Sequence, residues 1–339
     1  MKITLLGAKG TTLDLLNNLV ISKKVDITNV VTLSKENSAK NKVAFYKGTE
    51  LVDYCESNGI DVHVTSTYHM NSEVDLDFFK QLKTDLLLVI GWERVVPNQI
   101  LKTLGKFACG MHGSAFGLPK GRGRSPLNWS LITGHRKFTT YLFRYNPEID
   151  AGDIIGFKTF DINEFDNIAS LHAKNRNVMQ QLVTTYVPLI DSGEVEFFKQ
   201  PPLESSFYPK RTMEDGFIDW NSSSEEIYNL IRAVSFPYPS AFTFTEDSQK
   251  LVIDVAFPFD TALFNSNVAP GTIVDISISL NQFVIKTGTG SLLVSQFSGI
   301  DINKLAIESV LKSGDNAEII QNIATRYDEG IVDDQKEIK

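Results

Sequence analysis

The fold class predicted is a doubly wound, Rossmann-like α/β domain with a mainly parallel sheet, followed by a smaller β-barrel-like (OB-like) domain. Three observations predict it. Short apolar runs alternate with helical segments in the first part of the chain. One run, Asp85-Leu-Leu-Leu-Val-Ile90, is nearly continuous, as in strands buried on both faces of a parallel sheet. After about residue 200 the texture changes to short β-rich runs separated by turn residues. The expected division is an N-terminal α/β domain over 1–200, a linker over 201–222, a barrel-like domain over 223–305, and a helical and charged tail over 306–339.

Taken in order, Lys2 to Leu6 reads as a first strand that ends in the turn Gly7-Ala-Lys-Gly10. A dinucleotide fingerprint needs G-x-G-x-x-G, and this turn is G-x-x-G, so a tight strand-to-helix turn is the favoured reading. Thr12 to Leu19 has the leucine spacing of a helix, and Val25 to Leu33 reads as a strand. Helices are expected over Glu50–Ser57 and Asp75–Lys83, with a strand over Asp61–Thr65 between them. Pro201, Pro202 and Pro209 punctuate the linker. A helix is then expected over Ser223–Val234. Strands follow over Lys250–Phe257, Gly271–Ser279, Gln282–Thr287 and Ser291–Phe297. A helical stretch after Asp301 leads into the charged end.

The chain of 339 residues is 42% hydrophobic and 22% charged, so it can bury a sizeable core. Its formal net charge of −8 argues against the phosphate attraction on which nucleic-acid binders depend. Cys55 and Cys109 form neither a disulfide framework nor a metal spacing, which fits a reducing cytoplasm. The opening segment lacks the long apolar core of a signal peptide, and no run reaches the roughly 20 apolar residues of a membrane helix. His63, His69, His135 and His172 have no companions of metal-site type, so no metal is expected.

The segment Cys109 to Ile155 carries the chemistry. His112 sits among small residues, where the backbone can approach a ligand closely. The run Pro119-Lys-Gly-Arg-Gly-Arg124 is a basic, flexible loop, whose ordinary reading is a solvated one. A helix is expected over Pro126–Thr133, with Ser125 as N-cap and Pro126 at its first position. Asp150-Ala-Gly-Asp153 precedes another apolar run, and D-x-G is also common turn chemistry. A neutral histidine can accept a proton near pH 7, and a nearby carboxylate orients it. Spacing alone leaves open whether the fold brings His112 and Asp150 together.

Taken together, these residues resemble the folate-dependent formyltransferases, among them the methionyl-tRNA and sugar-nucleotide enzymes. The family signature is N-x-H-x-S, then L-P-x-x-R-G-x-x-P-x-x-W, then D-x-G about forty residues after the histidine. The matches are His112, Ser114, Leu118-Pro119, Arg122-Gly123, Pro126, Trp129 and Asp150-Ala-Gly152. The blocks Tyr208 to Trp220 and Ile231 to Phe242 resemble the link into an appended β-barrel domain. The closest pattern is that of the sugar-nucleotide N-formyltransferases, such as the enzyme acting on UDP-4-amino-4-deoxy-L-arabinose.

The resemblance implies formyl transfer from 10-formyltetrahydrofolate to the primary amine of an amino-sugar nucleotide. It implies His112 as general base, Asp150 as its partner, and Ser114 within the catalytic set. It also implies a pterin pocket between the loop Asn146, Pro147, Glu148, Ile149 and the segment Val89, Ile90, Gly91, Trp92. For Trp92 and Tyr208, core packing is the competing reading. Lys120, Arg122, Arg124 and Tyr208 are assigned to the acceptor. The resemblance is compatible with a homodimer.

Two departures stand out. Gly110 occupies the place of the family's asparagine, the donor to the developing oxyanion. Loss of such a donor costs about 3–4 kcal/mol of transition-state stabilisation. The loop Ser114 to Pro119 is about two residues longer than usual. Within the chemistry, the rival acceptor is methionyl-tRNA. From Glu214 to Lys339 there are 19 acidic and 8 basic side chains, a net of −11, which would repel a polyphosphate backbone. Transfer to water, and a weak or non-catalytic homologue that binds folate or a nucleotide sugar, stay open as alternatives.

Overall fold

The computed structural model describes residues 1–315 except Pro147 and Ser266, together with the backbone of two short strands, Ile331–Val332 and Glu337–Ile338. Strand β1 (Ile3–Leu6) is buried at every position and leads through the glycine turn into helix α1 (Gly10–Ser22). Its leucines at 15, 16 and 19 point into the core, as their spacing predicts. Then come β2 (Asn29–Leu33), α2 (Lys35–Lys40), α3 (Gly48–Asn58), β3 (Asp61–Thr65), α4 (Glu73–Leu82) and β4 (Leu86–Val89). β2 starts four residues later than its apolar run suggests. The Ser72 side chain caps α4 by accepting from the Asp75 amide at 3.1 Å.

A short α5 (Asn98–Leu101) leads to β5 (Phe107–Ser114), the last parallel strand. Next are β6 (Arg122–Gly123), α6 (Pro126–Ile132), β7 (Lys137–Arg144), β8 (Ile154–Asp161), α7 (Ile168–Ser192) and β9 (Phe207–Tyr208). The seven-stranded sheet has the order β3-β2-β1-β4-β5-β7-β8. Its first five strands are parallel and doubly wound, and β7 and β8 add an antiparallel edge. The strand order reverses between β1 and β4, so a crevice forms beyond their carboxyl ends. The antiparallel edge and the 25-residue helix α7 were not among the expected elements. Asn167 and Ser170 form a capping box at the start of α7, and Gly193 ends it.

Helix α8 (Ser224–Val234) opens with the capping box Ser223/Glu226. The second sheet contains β10 (Ala241–Phe244), β11 (Lys250–Pro258), β12 (Ile273–Ser277), β13 (Gln282–Lys286) and β14 (Ser291–Ser298). It is antiparallel in the order β10-β11-β14-β13-β12, and β10 is a strand the sequence reading did not include. The segment 309–312 joins its two edges. The Ile273 amide donates to the Ser309 carbonyl at 2.9 Å, and the Lys312 amide donates to the Phe244 carbonyl at 2.7 Å. That closure makes the sheet barrel-like. After Asp301 the described residues contain one short 3-10 turn, Ile302–Lys304, and the rest of the expected tail lies outside the described residues.

The two sheets are not independent. Leu127, Leu131, Phe138 and Leu171 of the first region share one buried cluster with Ile218, Trp220, Ile231 and the second sheet. Polar contacts hold the same seam. Asn128 donates to the Ala233 carbonyl at 2.8 Å, and Trp129 Nε1 donates to the Pro209 carbonyl at 3.0 Å. Arg232, buried, donates to the carbonyls of Asn163 and Asp166.

Candidate active site

His112 lies on β5, next to the antiparallel edge that begins with β7, and is buried. Asp150 comes from the loop between β7 and β8. The chain crosses that loop with Asp150 in the left-handed region, at φ 50°. Gly152 lies so close to β7 that a Cβ there would stand 1.6 Å from the Arg144 carbonyl oxygen. This turn swings the carboxylate back over β5, and Asp150 Oδ2 reaches His112 Nδ1 at 3.3 Å. Residues 38 positions apart in sequence are thus in contact.

The other ring nitrogen, Nε2, is 2.9 Å from the Gly121 carbonyl oxygen. Both partners of the imidazole can only accept. Each ring nitrogen of His112 thus faces an oxygen acceptor. The Gly123 amide also donates to Asp150 Oδ2, at 3.3 Å.

Ser114 is buried beneath this loop. Its hydroxyl donates to the Lys120 carbonyl at 2.6 Å and accepts from the Phe116 amide at 3.1 Å. Its one hydrogen is therefore committed to shaping the elongated loop. Lys120 is exposed. The solvated-loop reading holds for Lys120 alone, because Arg122 and Arg124 turn inward. Arg122 is buried and donates to Gln200 Oε1 at 2.6 Å. Burial pulls its guanidinium below the ordinary value, with the charges of Asp150 and Glu148 acting against that. Arg124 donates to Glu93 Oε2 at 2.8 Å, and Lys9 pairs with the other oxygen of Glu93. Burial alone would raise the Glu93 carboxyl, but Lys9 and Arg124 outweigh it and hold it below the usual range.

Ser125 stands at the N-cap position of α6 but does not cap it. It has φ 55°, and its hydroxyl accepts from the Arg211 amide instead. Pro126 is at the first helical turn as expected. Tyr208 stacks on Trp129, with ring centroids 5.8 Å apart, and on Phe116 at 6.1 Å, so its ring is part of a three-ring stack.

Of the expected pterin walls, Val89, Ile90 and Trp92 are buried at the carboxyl end of β4, and Gly91 follows with φ 76°. Trp92 packs edge-on against Tyr68, and its indole Nε1 is buried with no hydrogen-bond partner among the described residues. On the opposite wall, Asn146 accepts from the Glu148 amide at 3.0 Å; Glu148 is exposed and Ile149 half-buried. Pro147 lies outside the described residues. A cleft of about 400 Å3 opens beside this loop, lined by Asn98, Phe107, Arg144, Tyr145, Asn146 and Lys199 among others. Asn146 lines it, whereas His112 and Asp150 do not.

Sequence reasoning missed three residues that hold the site. Gln200 Nε2 donates to the carbonyls of Asp150 at 2.7 Å and Gly152 at 3.0 Å, while its oxygen takes Arg122. Ser206 accepts from the Gly121 amide through its hydroxyl and from the Arg122 amide through its carbonyl. Tyr145 packs against Gly110: a Cβ on that glycine would stand 2.2 Å from Tyr145 Cε2. Only Tyr145 had a signal in the sequence, its place directly before the Asn146–Ile149 loop. Among the described residues, no group of three or more His, Cys, Asp or Glu side chains converges on a metal-sized site, and no helix is long and apolar enough to cross a membrane.

Residues 1–187, more than half of the chain, match the family model described as formyl transferase. The chain belongs to that family. Residues 210–314 match the formyl transferase C-terminal domain. Among curated proteins, the chain is 33% identical over 253 residues to the bifunctional polymyxin resistance protein ArnA of Wigglesworthia glossinidia brevipalpis. That match takes in 73% of this chain and spans 37% of the length of ArnA. The formyltransferase fold recurs in solved structures. An N-formyltransferase from Helicobacter canadensis, in complex with folinic acid and dTDP-3-aminofucose, aligns with a TM-score of 0.64 at 19% identity, covering 88% of this chain and 100% of that one. WlaRD, a sugar 3N-formyl transferase solved with dTDP and 5-N-formyl-THF, aligns at 0.62 and 17% identity, covering 89% and 99%. HypX from Aquifex aeolicus in complex with tetrahydrofolic acid aligns at 0.58 and 18% identity, covering 95% of this chain and 48% of that one.

Proposed function

We propose that this formyltransferase moves a formyl group from 10-formyltetrahydrofolate to the primary amine of an amino-sugar nucleotide. The observation that carries the reading is the contact between His112 and Asp150 inside the family's fold. The ArnA relative and the sugar N-formyltransferases that share the fold support the acceptor class. The indole donor of Trp92, which has no hydrogen-bond partner among the described residues, and the cleft beside the loop after Tyr145 are features that a folate carrier could use.

In this reading the amine attacks the formyl carbon, and its proton passes to Nε2 of His112. Asp150 keeps the other ring hydrogen in place and stabilises the imidazolium. Nε2 is 2.9 Å from the Gly121 carbonyl oxygen, so the amine has to take that carbonyl's place beside the ring before its proton can pass. The tetrahedral intermediate then collapses: the bond from the formyl carbon to the carrier nitrogen breaks with its electron pair going to that nitrogen, which takes the proton held by His112 and leaves as tetrahydrofolate. Ser114 acts by positioning the loop, since its hydrogen is given to Lys120. Arg122 and Arg124 act as supports, and Lys120 is the cation of that run left to meet a phosphate. The acidic balance of Glu214 to Lys339 disfavours methionyl-tRNA as acceptor.

The test supplies purified protein with 10-formyltetrahydrofolate and a panel of amino-sugar nucleotides, with methionyl-tRNA in parallel, and reads products by mass. A sugar nucleotide heavier by one added CO is the expected product. Formylated methionyl-tRNA alone would overturn the acceptor. Folate binding without any product would select the non-catalytic alternative.

A further inference from the structure

Gly110 leaves the oxyanion without the amide donor that an asparagine would bring. The room for that amide is already filled. Opposed residues on paired strands share one face of a sheet, and so do residues two apart on one strand. Gly110 pairs with Phe143 and His112 with Tyr141, and the Tyr145 amide donates to the Ala108 carbonyl at 2.8 Å. Tyr145, Gly110 and His112 therefore present to the same face. A Cβ on Gly110 would meet Tyr145 at Cε2 (2.2 Å), Cδ2 (3.0 Å) and Cζ (3.2 Å). The ring edge next to the phenol thus lies where an asparagine side chain would begin, one step along the strand from the catalytic histidine. Stacking on Phe143, with ring centroids 5.9 Å apart, fixes the ring there.

We propose that the Tyr145 hydroxyl is the hydrogen-bond donor to the formyl oxygen as it becomes an oxyanion, and that Gly110 exists to admit that ring. The assignment rests on formyl transfer being the reaction. A phenol suits the role because it donates one hydrogen and is not itself consumed. Burial pushes its pKa up, and the charge of Asp150 adds to this, so the hydroxyl stays protonated and able to donate. Glycine and tyrosine form a complementary pair: neither asparagine at 110 with tyrosine at 145, nor glycine at 110 with a small residue at 145, leaves both a donor and a filled space.

Two measurements test this. The first is binding, which needs no acceptor. Wild type and Tyr145→Phe are titrated with 10-formyl-5,8-dideazafolate and with the same compound lacking the formyl group. Phenylalanine keeps the ring packing, so loss of fold is not the issue. The expected result is about fivefold to tenfold weaker binding of the formyl compound only. Equal affinities, or equal losses for both compounds, would overturn the assignment, and no binding of either compound by wild type would sink the functional reading with it. The second is turnover with whichever acceptor wild type uses. Tyr145→Phe should lower kcat roughly 100- to 1000-fold with KM for the folate within about twofold. Gly110→Asn combined with Tyr145→Ala should regain at least tenfold over Tyr145→Ala alone. Full kcat in Tyr145→Phe, or no gain from the added asparagine, would refute it.

Discussion

Gln200→Leu should destabilise the folded chain and loosen the contact between His112 and Asp150 without touching either residue. The side chain makes three hydrogen bonds: to the Asp150 carbonyl, to the Gly152 carbonyl and from Arg122. A neutral hydrogen bond contributes about 1 kcal/mol and a charge-assisted one about 1.5–3 kcal/mol. Leucine keeps the volume but leaves two carbonyls and a buried guanidinium unsatisfied. Gln200 is half-buried, so water recovers part of the loss, and the net effect is about 2–4 kcal/mol. Urea unfolding of both proteins measures it as a lower midpoint at constant slope. Gln200→Glu separates the contacts. It keeps the bond to Arg122 but turns an acceptor toward two carbonyls, so it should also destabilise. A Gln200→Leu variant within about 0.5 kcal/mol of wild type would show that the three bonds do not hold this loop.

Four further outcomes follow from the same geometry. His112→Ala should lower formyl transfer about 100-fold to 10,000-fold while folate binding, read by fluorescence, persists; unchanged turnover would sink the base assignment. Gly152→Ala sets a methyl 1.6 Å from the Arg144 carbonyl and should cost more than about 3 kcal/mol or abolish soluble expression. Trp129→Phe removes the donor to the Pro209 carbonyl and should cost about 1–2 kcal/mol, seen as a lower melting temperature. The pH dependence of stability should carry the mark of His172, whose pKa burial lowers to about 4, with Lys9 and Arg176 adding to the shift. Between about pH 6.5 and that value the unfolded chain binds a proton that the folded chain does not, so stability rises with pH across that window. The loss on acidification is about 3 kcal/mol, and His172→Gln should flatten the profile by that much. Identical profiles for the two proteins would refute this.

The parts of the site that were legible in the sequence are those whose chemistry depends on local order. His112, Pro126, Trp129 and Asp150-Ala-Gly152 sit in one stretch at nearly the spacing of the family signature, which singles them out, whereas the contact between His112 and Asp150 depends on the antiparallel edge. The first four strands, β1 to β4, were legible from their own runs, whereas β5, which carries His112, was not among the expected strands. Apolar runs such as Leu86–Val89 have one way to be buried on both faces. The antiparallel edge was not legible, because β7 alternates like any half-buried strand, β8 is buried only over its first three residues, and nothing local states which neighbour they take. Gln200 and Ser206 were beyond reach for the same reason. Their partners are 50 and 85 residues away, and neither has a spacing that announces the contact.

Gly110 shows how a local departure acquires meaning only through pairing. In sequence it reads as a missing donor two residues before the histidine, and the reading stops at a deficit. The β5–β7 register turns it into half of a contact. A residue opposite Ala108 lies diagonally across from position 110 on the same face, and at that place the chain carries a tyrosine. With a side chain at 110, the ring could not lie there; without the ring, glycine would leave a void beside a buried histidine. The two residues therefore constrain each other, although neither spacing nor type links them in sequence. A single reversion of Gly110 to asparagine consequently does not restore the family's site. It forces a collision within it, and activity should fall rather than rise unless position 145 is reduced at the same time.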